Sequence, residues 1–294
     1  MNALNPAEVD SLTRLVRMAI KEDLDRAGDR TTRAIIPNDT SGRAVFVARS
    51  DGTVAGLPVV HHVFAWTKLV TAKEQFQPLV QDGASVKRGD HLAVVAGNTW
   101  KLLAAERVAL NFIQHLSGIA TLTRAYVDAV AEFSCRILDT RKTTPGWRLL
   151  EKYAVRCGGG HNHRIGLYDG ILIKDNHLAA LGGGVEAVRT AIDLSRKAAP
   201  AGVFVEIEVE SLDQMDAALA GKPDIILLDN MPLHMMREAV KRRKAVAPGV
   251  LLEASGGVNL QTVRAIAETG VDRISIGALT HSAPALDIAL DYGG

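Results

Sequence analysis

Charged side chains stand where several short apolar runs of the chain come to an end. Arg141 and Lys142 follow a first run, Lys174 follows a second, Glu208 lies within a third, and Asp229 follows a fourth. Lys and Arg bind carboxylates and phosphates through charge-assisted hydrogen bonds, whereas carboxylates hold hard cations such as Mg²⁺. Each unpaired buried charge costs several kcal/mol, so stability alone does not explain these residues. Their pattern predicts an anion pocket beside a metal or cation site.

The residue types change in order along the chain. Basic residues dominate the early run ends, where Arg164 joins Arg141 and Lys174, with His161 and His163 beside them. Acidic residues dominate the middle runs, and the last two runs end in Ser255-Gly256-Gly257 and Ser275-Ile276-Gly277. Glycine lets the backbone approach phosphate oxygens closely, and loops after the final strands of β/α barrels often hold a phosphate. The sequence therefore predicts a phosphate cradle after the cation site.

Each of these features has a simpler interpretation. Glu206, Glu208 and Glu210 share one face of a strand and could face solvent at the edge of a sheet. The Ser-Gly-Gly sequence occurs in ordinary turns. The segment from Gly158 to Arg164 could be a flexible linker, and its two histidines could also ligate a metal.

The chain alternates short apolar runs with amphipathic helical stretches from Cys135 onward. The runs are Arg136–Leu138, Gly170–Ile173, Val203–Val209, Ile225–Leu228, Val250–Leu252 and Arg273–Ile276; the helical stretches between the later ones are Val185–Ala198, Leu212–Ala220, Leu233–Ala245 and Leu260–Glu268. This alternation predicts parallel strands joined by right-handed crossovers in a barrel or near-barrel. Before residue 120, a helix around Leu12–Ala19, hairpin-like segments and a helix resuming near Leu102 indicate a separate mixed α/β domain.

Composition sets broad limits on the function. The chain has 294 residues, with 34 Lys and Arg against 33 Asp and Glu, which gives a net charge of +1. This balance gives no support for a nucleic-acid binder, and no Gly-x-Gly-x-x-Gly follows the first strand of the alternating part. The cysteines, Cys135 and Cys157, are too few for a disulfide framework. With no signal pattern and no apolar run near the roughly 18 residues of a membrane span, we expect a soluble, cytoplasmic protein.

The ordered set of motifs resembles quinolinate phosphoribosyltransferase. The motifs are Glu106–Asn111, Asp139–Thr143, Gly159–Arg164, Leu172–His177, Glu206–Glu210, Leu227–Asn230, Ser255–Gly257 and Ser275–His281. The resemblance runs from about Glu22 to Ser282, and no motif position lacks a required charge. It implies an N-terminal α/β sandwich over residues 1–120, an open, incomplete β/α barrel over residues 121–282, and a segment 283–294 that packs back on the first domain.

The resemblance implies a pentosyltransferase of NAD biosynthesis. It would transfer phosphoribosyl from 5-phosphoribosyl 1-pyrophosphate to quinolinate with decarboxylation, giving nicotinate mononucleotide, pyrophosphate and CO₂. Mg²⁺ would be the cofactor, held by Glu208 and Asp229 directly or through water. The protein would work as a homodimer, with higher multiples as an option, in which Arg107 reaches the site of the neighbouring subunit.

The resemblance also assigns the remaining site residues. The catalytic residues would be Lys142, Glu208 and Asp229. The quinolinate site would comprise Arg107, Thr140, Arg141, Lys142, His163, Arg164 and Lys174. The phosphoribosyl pyrophosphate site would comprise Lys142, Lys174, Glu208, Asp229, Ala254, Ser255, Gly256, Gly257, Ser275, Ile276, Gly277 and His281.

Three other functions are compatible with the sequence. The nearest is a related phosphoribosyltransferase that acts on nicotinate or another aromatic acid without decarboxylation. A second is a non-catalytic anion-binding protein, against which the intact Glu208 and Asp229 argue. A third is a phosphate-binding barrel such as an aldolase, in which Lys174 would form a Schiff base; its many charged neighbours argue against that chemistry.

Overall fold

The computed structural model describes residues 4–67 and 75–293, which form two compact units. The first unit comprises Met1–Arg124, Lys142–Gly159 and Ala278–Gly294, and the second comprises Ala125–Arg141 and Gly160–Gly277. Within the described ranges, none of the helices combines the length and apolar character that crossing a bilayer requires.

The elements are numbered in chain order over the described residues. The helices are α1 (Pro6–Leu24), α2 (Arg30–Ile35), α3 (Leu57–Trp66), α4 (Thr99–Ala129), α5 (Arg148–Cys157), α6 (Asp175–Ala180), α7 (Gly184–Ala198), α8 (Leu212–Gly221), α9 (Leu233–Val246), α10 (Val263–Ala267) and α11 (Ala278–His281). The strands are β1 (Ser41–Ala48), β2 (Gly52–Thr53), β3 (Phe76–Pro78), β4 (Ser85–Val86), β5 (His91–Asn98), β6 (Arg136–Leu138), β7 (Ile171–Ile173), β8 (Val205–Val209), β9 (Ile225–Asp229), β10 (Leu251–Ser255), β11 (Arg273–Ser275) and β12 (Ile288–Gly293).

The first unit contains an antiparallel sheet in the order β12-β1-β5-β3 and a small β2-β4 pair. Its first helix starts with a capping box, in which Asn5 accepts the backbone N–H of Glu8 and the Glu8 side chain accepts that of Asn5. Leu12 and Val16 lie one helical turn apart on the buried face of α1. Apolar spacing and cap chemistry therefore agree on where this helix begins and which face it buries.

The first unit also takes in parts of the chain that the resemblance assigns to the barrel domain. Helix α5 packs against α1, and Arg156 Nη2 donates to Glu8 Oε1 at 2.8 Å. Strand β12 pairs antiparallel with β1 along its length. Helix α4 passes residue 120 without a break. The domain boundaries stay a prediction, but the packing groups residues 142–159 with the first unit because the α5 contacts are made there.

The second unit contains a six-stranded parallel sheet in the order β6-β11-β10-β9-β8-β7. Its central strand β9 is apolar on both faces, as parallel sheets covered by helices require, and Ile226, Leu227 and Leu228 are all buried. Strands β6 and β7 lie at opposite ends of this order, which leaves the barrel of the described residues open between them. The predicted fold class, an α/β sandwich domain plus an open β/α barrel, is confirmed.

The position of β8 in the sheet determines whether its glutamates face solvent. Strand β8 pairs with β7 on one side and with β9 on the other, so it is an inner strand. Glu206 is fully buried, whereas Glu210 lies beyond the strand and is exposed. The solvent-facing edge strand that would have explained the three glutamates is therefore wrong.

Candidate active site

The carboxyl ends of β8, β9 and β10 lie side by side. In the register of the parallel ladders, Glu208 is paired with Leu227 and Asp229 with Ser255. Because parallel strands end at the same edge of a sheet, the side chains of Glu208, Asp229 and Ser255 meet at one edge. This is the arrangement expected of barrel strands whose ends carry polar groups.

An ion pair joins this edge to the end of β7. Lys174 Nζ lies 3.4 Å from Glu208 Oε2, and the Glu208 side chain is only 12% exposed. Burial raises the pKa of Glu208; the Lys174 ammonium opposes that shift and the Asp229 carboxylate adds to it. Glu208 and Asp229 are therefore close enough for their negative charges to repel each other.

This donor set fits a hard divalent cation. Carboxylate oxygens from two neighbouring strand ends are ligands that Mg²⁺ accepts, and Mg²⁺ usually keeps several waters beside substrate phosphates. A cation between Glu208 and Asp229 would offset the repulsion that raises the pKa of Glu208. The two residues are therefore chemically suited to Mg²⁺, and the metal site stays a prediction.

The loops after β9 and β10 are joined by close contacts. Asn230, with a positive φ of 50°, donates its side-chain N–H to Asp229 Oδ2 at 2.7 Å and its backbone N–H to the Ser255 carbonyl at 2.9 Å. Gly256 has a φ of 93°, and a Cβ there would lie 2.2 Å from Asn230 Oδ1. Only glycine fits between these loops. Asn230 was not among the predicted site residues, although it stands next to Asp229 in the sequence.

The loop after β10 does not run directly into a helix. The predicted helix over 260–268 begins at Val263, because Asn259 Oδ1 accepts the backbone N–H groups of Gln261 and Thr262 and holds a turn there. Helix α10 has only five residues. Any phosphate at Ser255–Gly257 would therefore be held by the backbone and hydroxyl groups of the loop.

Several residues predicted to contact phosphoribosyl pyrophosphate are buried. Ala254 is fully buried, and Ser275 and Ile276 are 4% and 2% exposed. The Ser275 hydroxyl bonds the Glu253 carboxylate, and the Ile276 N–H donates to the Leu138 carbonyl at 2.9 Å. These buried residues therefore anchor the two loops to the sheet. Ser255, Gly257 and Gly277, in contrast, are at least partly accessible to solvent.

Two arginines of the second unit converge. Burial lowers the pKa of the Arg164 guanidinium, and the nearby positive charge of Arg141 lowers it further, against the opposing effect of Glu206 and Asp169. Arg164 is held in place by a hydrogen bond from Nη1 to the Gly170 carbonyl at 3.0 Å. Like charges brought together in a partly buried site indicate a place for an anion that bears more than one negative charge.

The segment that carries Arg164 is fixed to the end of β6. His161 bridges to Leu138, and the buried Asp139 accepts the backbone N–H of His163 at 2.9 Å and the side-chain N–H of Asn162 at 2.6 Å. The flexible linker that the glycines before His161 allowed is therefore wrong from His161 onward. The sequence placed Asp139 in a motif without giving it a role, and this role follows from the fold.

His163 faces inward rather than toward solvent. It is 8% exposed, and its Nε2 lies 3.0 Å from Glu206 Oε2 and 3.4 Å from Glu253 Oε1. Burial lowers the pKa of His163, and the two carboxylates raise it by favouring a proton on Nε2. Nδ1 accepts the backbone N–H of Arg164 at 2.7 Å. Both ring nitrogens thus contact protein groups.

The predicted site residues are divided between the two units. The second unit holds Thr140, Arg141, His163, Arg164, Lys174, Glu208, Asp229, Ala254, Ser255, Gly256, Gly257, Ser275, Ile276 and Gly277. The first unit holds Arg107, Lys142 and His281. All three of these first-unit residues are exposed, and the Lys142 carbonyl accepts the hydroxyl of Thr280 at 2.7 Å.

Several known proteins resemble this chain over most of its length. The protein of *Mycobacterium leprae* described as nicotinate-nucleotide pyrophosphorylase [carboxylating] is 47% identical over 290 residues, covering 98% of this chain and 99% of the relative. Quinolinate phosphoribosyltransferase [decarboxylating] 2b, mitochondrial, of *Nicotiana tabacum* is 41% identical, covering 95% of this chain and 81% of the relative. The solved nicotinate-nucleotide pyrophosphorylase of *Francisella tularensis* superposes with a TM-score of 0.86 at 39% identity, covering 97% of this chain and 96% of the other.

The family profiles cover nearly the whole chain. The profile described as Quinolinate phosphoribosyl transferase, N-terminal domain, matches residues 29–117, and the profile for the C-terminal domain matches residues 119–291. The ordered motifs, the sheet topology and these matches lead to one conclusion: the chain belongs to the quinolinate phosphoribosyl transferase family.

Proposed function

We propose that this chain transfers the phosphoribosyl group of 5-phosphoribosyl 1-pyrophosphate to quinolinate, with decarboxylation. The C1–oxygen bond to pyrophosphate breaks, the pyridine nitrogen bonds C1, and the adjacent carboxylate leaves as CO₂ while the ring carbon takes a proton. The product is nicotinate mononucleotide, a precursor of NAD. Family membership and the names of the relatives support this assignment. The 3.4 Å ion pair between Lys174 and Glu208 is the observation that carries it for this chain, with the convergence of Arg141 and Arg164 in support.

Quinolinate suits that convergence because it carries two adjacent carboxylates. Guanidinium groups bind carboxylates in a planar, two-point geometry, and each charge-assisted hydrogen bond contributes about 1.5–3 kcal/mol. We assign the carboxylates to Arg141, Arg164 and Lys174, with Thr140, Lys142 and the neighbouring subunit's copy of Arg107 completing the pocket. A monocarboxylate such as nicotinate would engage fewer of these donors, which disfavours the non-decarboxylating alternative.

We assign binding of the phosphoribosyl group to the acidic pair, Glu208 and Asp229, and to the loops after β10 and β11. Breaking the bond at C1 builds positive charge on the ribose ring, and the carboxylates of Glu208 and Asp229 would stabilise it. Lys142, Lys174 and His281 would pair with phosphate oxygens, and the loops at Ser255–Gly257 and Ser275–Gly277 would hold the 5-phosphate. Catalysis then consists of positioning and electrostatic stabilisation, with no covalent nucleophile.

Mg²⁺ is the cofactor that this donor set supports. Glu208 and Asp229 would hold it, directly or through water, because they are hard oxygen donors whose charges repel each other without a cation. When bound, Mg²⁺ would neutralise part of the charge of the departing pyrophosphate.

The assembly and compartment are part of the proposal. We propose a homodimer on the family resemblance, and Arg107 is exposed on α4, as a residue that reaches the site of a neighbouring subunit must be. Among the described residues, neither Cys135 nor Cys157 takes part in a disulfide, which agrees with a reducing cytoplasm.

The test is a parallel assay of pyrophosphate and CO₂ release. Quinolinate labelled in the 2-carboxyl group, nicotinate and nicotinamide are each incubated with 5-phosphoribosyl 1-pyrophosphate and Mg²⁺. We expect equal amounts of pyrophosphate and labelled CO₂ with quinolinate only. Pyrophosphate release with nicotinate and none with quinolinate would replace this function with the non-decarboxylating alternative.

A further inference from the structure

Two fully buried carboxylates meet one histidine inside the second unit. Glu206 on β8 and Glu253 on β10 are both 0% exposed, and each approaches Nε2 of His163. Glu253 is also paired with Arg273, whose Nε donates to Glu253 Oε2 at 2.6 Å, and with the Ser275 hydroxyl. Among the described residues, neither oxygen of Glu206 accepts a hydrogen bond, and its ion-pair contact is with His163 Nε2 at 3.0 Å.

Stability alone does not account for Glu206. A buried carboxylate with so little compensation costs several kcal/mol, and an apolar residue of similar volume would suit an inner strand better. Its neighbours in the parallel ladder, Leu172 and Ile225, are apolar. Burial and the Glu253 carboxylate raise the pKa of Glu206. Its carboxyl group therefore serves something other than the sheet.

The three side chains have the composition of a metal site, but the histidine is oriented for another role. One ligand atom of each of His163, Glu206 and Glu253 lies within 4.8 Å of the others. The backbone N–H of Arg164 donates to Nδ1, so the ring needs a lone pair on Nδ1 and carries its proton on Nε2. A protonated Nε2 cannot ligate a metal, but it can pair electrostatically with the two carboxylates, 3.0 and 3.4 Å away.

A chain of contacts thus leads from the core to the proposed anion pocket. The carboxylates of Glu206 and Glu253 hold the His163 ring by its Nε2 side, and the Nδ1 side of the same ring holds the backbone of Arg164 at 2.7 Å. The Arg164 guanidinium is then fixed by the Gly170 carbonyl, next to Arg141. The negative charge of Glu206 also favours the charged form of Arg164.

We propose that Glu206 and Glu253 are positioning residues of the quinolinate pocket, which orient Arg164 through His163, and that His163 itself is a positioning residue and does not bind the substrate. The inference rests on the proposed function. It differs from the role that the family resemblance implies for His163, because both ring nitrogens are already engaged within the protein.

The first test is Glu206→Gln, which keeps the size of the side chain and removes its charge. We expect the KM and the calorimetric Kd for quinolinate to rise about tenfold, because a displaced binding group weakens binding less than a deleted one. The KM for 5-phosphoribosyl 1-pyrophosphate and kcat should change less than twofold, since the Glu208 side chain is left in place. The matched control is Glu210→Gln, an exposed glutamate four residues along the chain, which should leave all three constants unchanged.

A second pair of variants separates positioning from substrate contact. His163→Asn retains an acceptor near the position of Nδ1, whereas His163→Ala does not. If His163 orients Arg164, the Asn variant recovers most of the quinolinate affinity that the Ala variant loses. If His163 binds quinolinate through Nε2, the two variants are equally impaired, and the proposal is overturned. This comparison remains informative if Glu206→Gln does not fold, which circular dichroism would reveal.

Two more results would overturn the inference. One is wild-type affinity for quinolinate in a folded Glu206→Gln variant of an active enzyme. The other is one equivalent of a transition metal in the purified protein by mass spectrometry, lost in Glu206→Gln. A wild-type protein that neither binds quinolinate nor releases pyrophosphate with it is a different outcome: there the proposed function fails, and the inference fails with it.

Discussion

Lys174 Nζ lies 3.4 Å from Glu208 Oε2, so the cation that follows β7 and the carboxylate near the end of β8 form one ion pair. The same ammonium is assigned to quinolinate and to the phosphate groups of the second substrate. Within the second unit, a residue proposed for the anion pocket therefore lies next to a residue proposed for the metal site.

Replacing Lys174 tests its proposed contact with quinolinate. Lys174→Ala should weaken quinolinate binding at least about tenfold, the loss expected for one charge-assisted hydrogen bond, and should leave the fold intact because the side chain is 47% exposed. Isothermal titration calorimetry measures the affinity and thermal melting measures the stability. Lys197→Ala, an exposed lysine in the last turn of α7, is the control. Equal quinolinate affinity in the two variants would remove Lys174 from the pocket.

Asp229 is expected to act mainly in the transition state. Asp229→Asn keeps the shape and removes the charge that faces the ribose ring, so kcat should fall about 10²-fold while the KM for quinolinate changes little. Steady-state kinetics with both substrates varied separates the two constants. Asp193→Asn, an exposed aspartate on α7, controls for loss of charge. A change confined to KM would contradict the assigned role.

Gly256 and Gly182 form a matched pair for the loop after β10. Both have a φ near +95°, 93° and 97° respectively, but a Cβ at Gly256 meets Asn230 Oδ1 at 2.2 Å whereas one at Gly182 meets nothing within 4 Å. Gly182→Ala should cost only the backbone strain, about 1–3 kcal/mol. Gly256→Ala should cost more and should also raise the KM for 5-phosphoribosyl 1-pyrophosphate.

Chemical denaturation measures the stability of the two alanine variants, and initial rates measure their KM for 5-phosphoribosyl 1-pyrophosphate. If the two alanine variants are equally stable and equally active, the close approach of the two loops does not matter to the site.

The dimer can be tested by mixing two inactive variants. Arg107→Ala and Lys174→Ala subunits, each inactive alone, should regain up to about a quarter of the wild-type activity after mixed refolding if each site takes Arg107 from its neighbour. In such mixed dimers one of the two sites has both residues intact. Arg107→Ala mixed with Asp229→Asn provides a second combination. Absence of rescue in both mixtures would assign Arg107 to its own subunit or to no site.

Glu151 holds the loop that begins at Lys142. Its carboxylate is fully buried, lies 3.0 Å from His115 Nε2, and accepts the Thr144 backbone N–H at 3.0 Å. Glu151→Ala should lower the free energy of unfolding by about 2–3 kcal/mol, because two donors lose their acceptor. Denaturant unfolding measures the loss, and Glu186→Ala, whose side chain is 81% exposed, should stay within about 0.5 kcal/mol of wild type. Equal stability of the two variants would contradict this anchoring role.

The sequence predicted the strands of the barrel well because each is an apolar run closed by a polar residue. Ile225–Asp229, for example, was expected from its apolar run and from the aspartate that ends it. Pairing partners across long stretches of chain were harder to predict. The pairing of β12 with β1 depends on residues some 250 positions apart, for which periodicity carries no signal.

The site likewise has residues that the sequence predicted and orientations that depend on the fold. Residue type and order predicted Glu208, Asp229 and Lys174, which the register of the sheet brings to one edge. The inward orientation of His163 could not be predicted, because it depends on Glu206 and Glu253 lying on either side of one ring. Helix α10 begins later than expected because Asn259 forms a side-chain turn that competes with the helix.

The pairing of β1 with β12 has a consequence for biosynthesis. Because β12 lies at 288–293, the ribosome releases every strand of the parallel sheet before the antiparallel sheet can gain its outer member. Until then β1 has an unsatisfied edge, and such edges associate readily with other extended chains. The nascent N-terminal region therefore lacks the pairing partner of β1 until residues 288–293 are synthesised. A ribosome stalled before residue 288 would carry a chain whose β1 edge is unpaired and prone to aggregation.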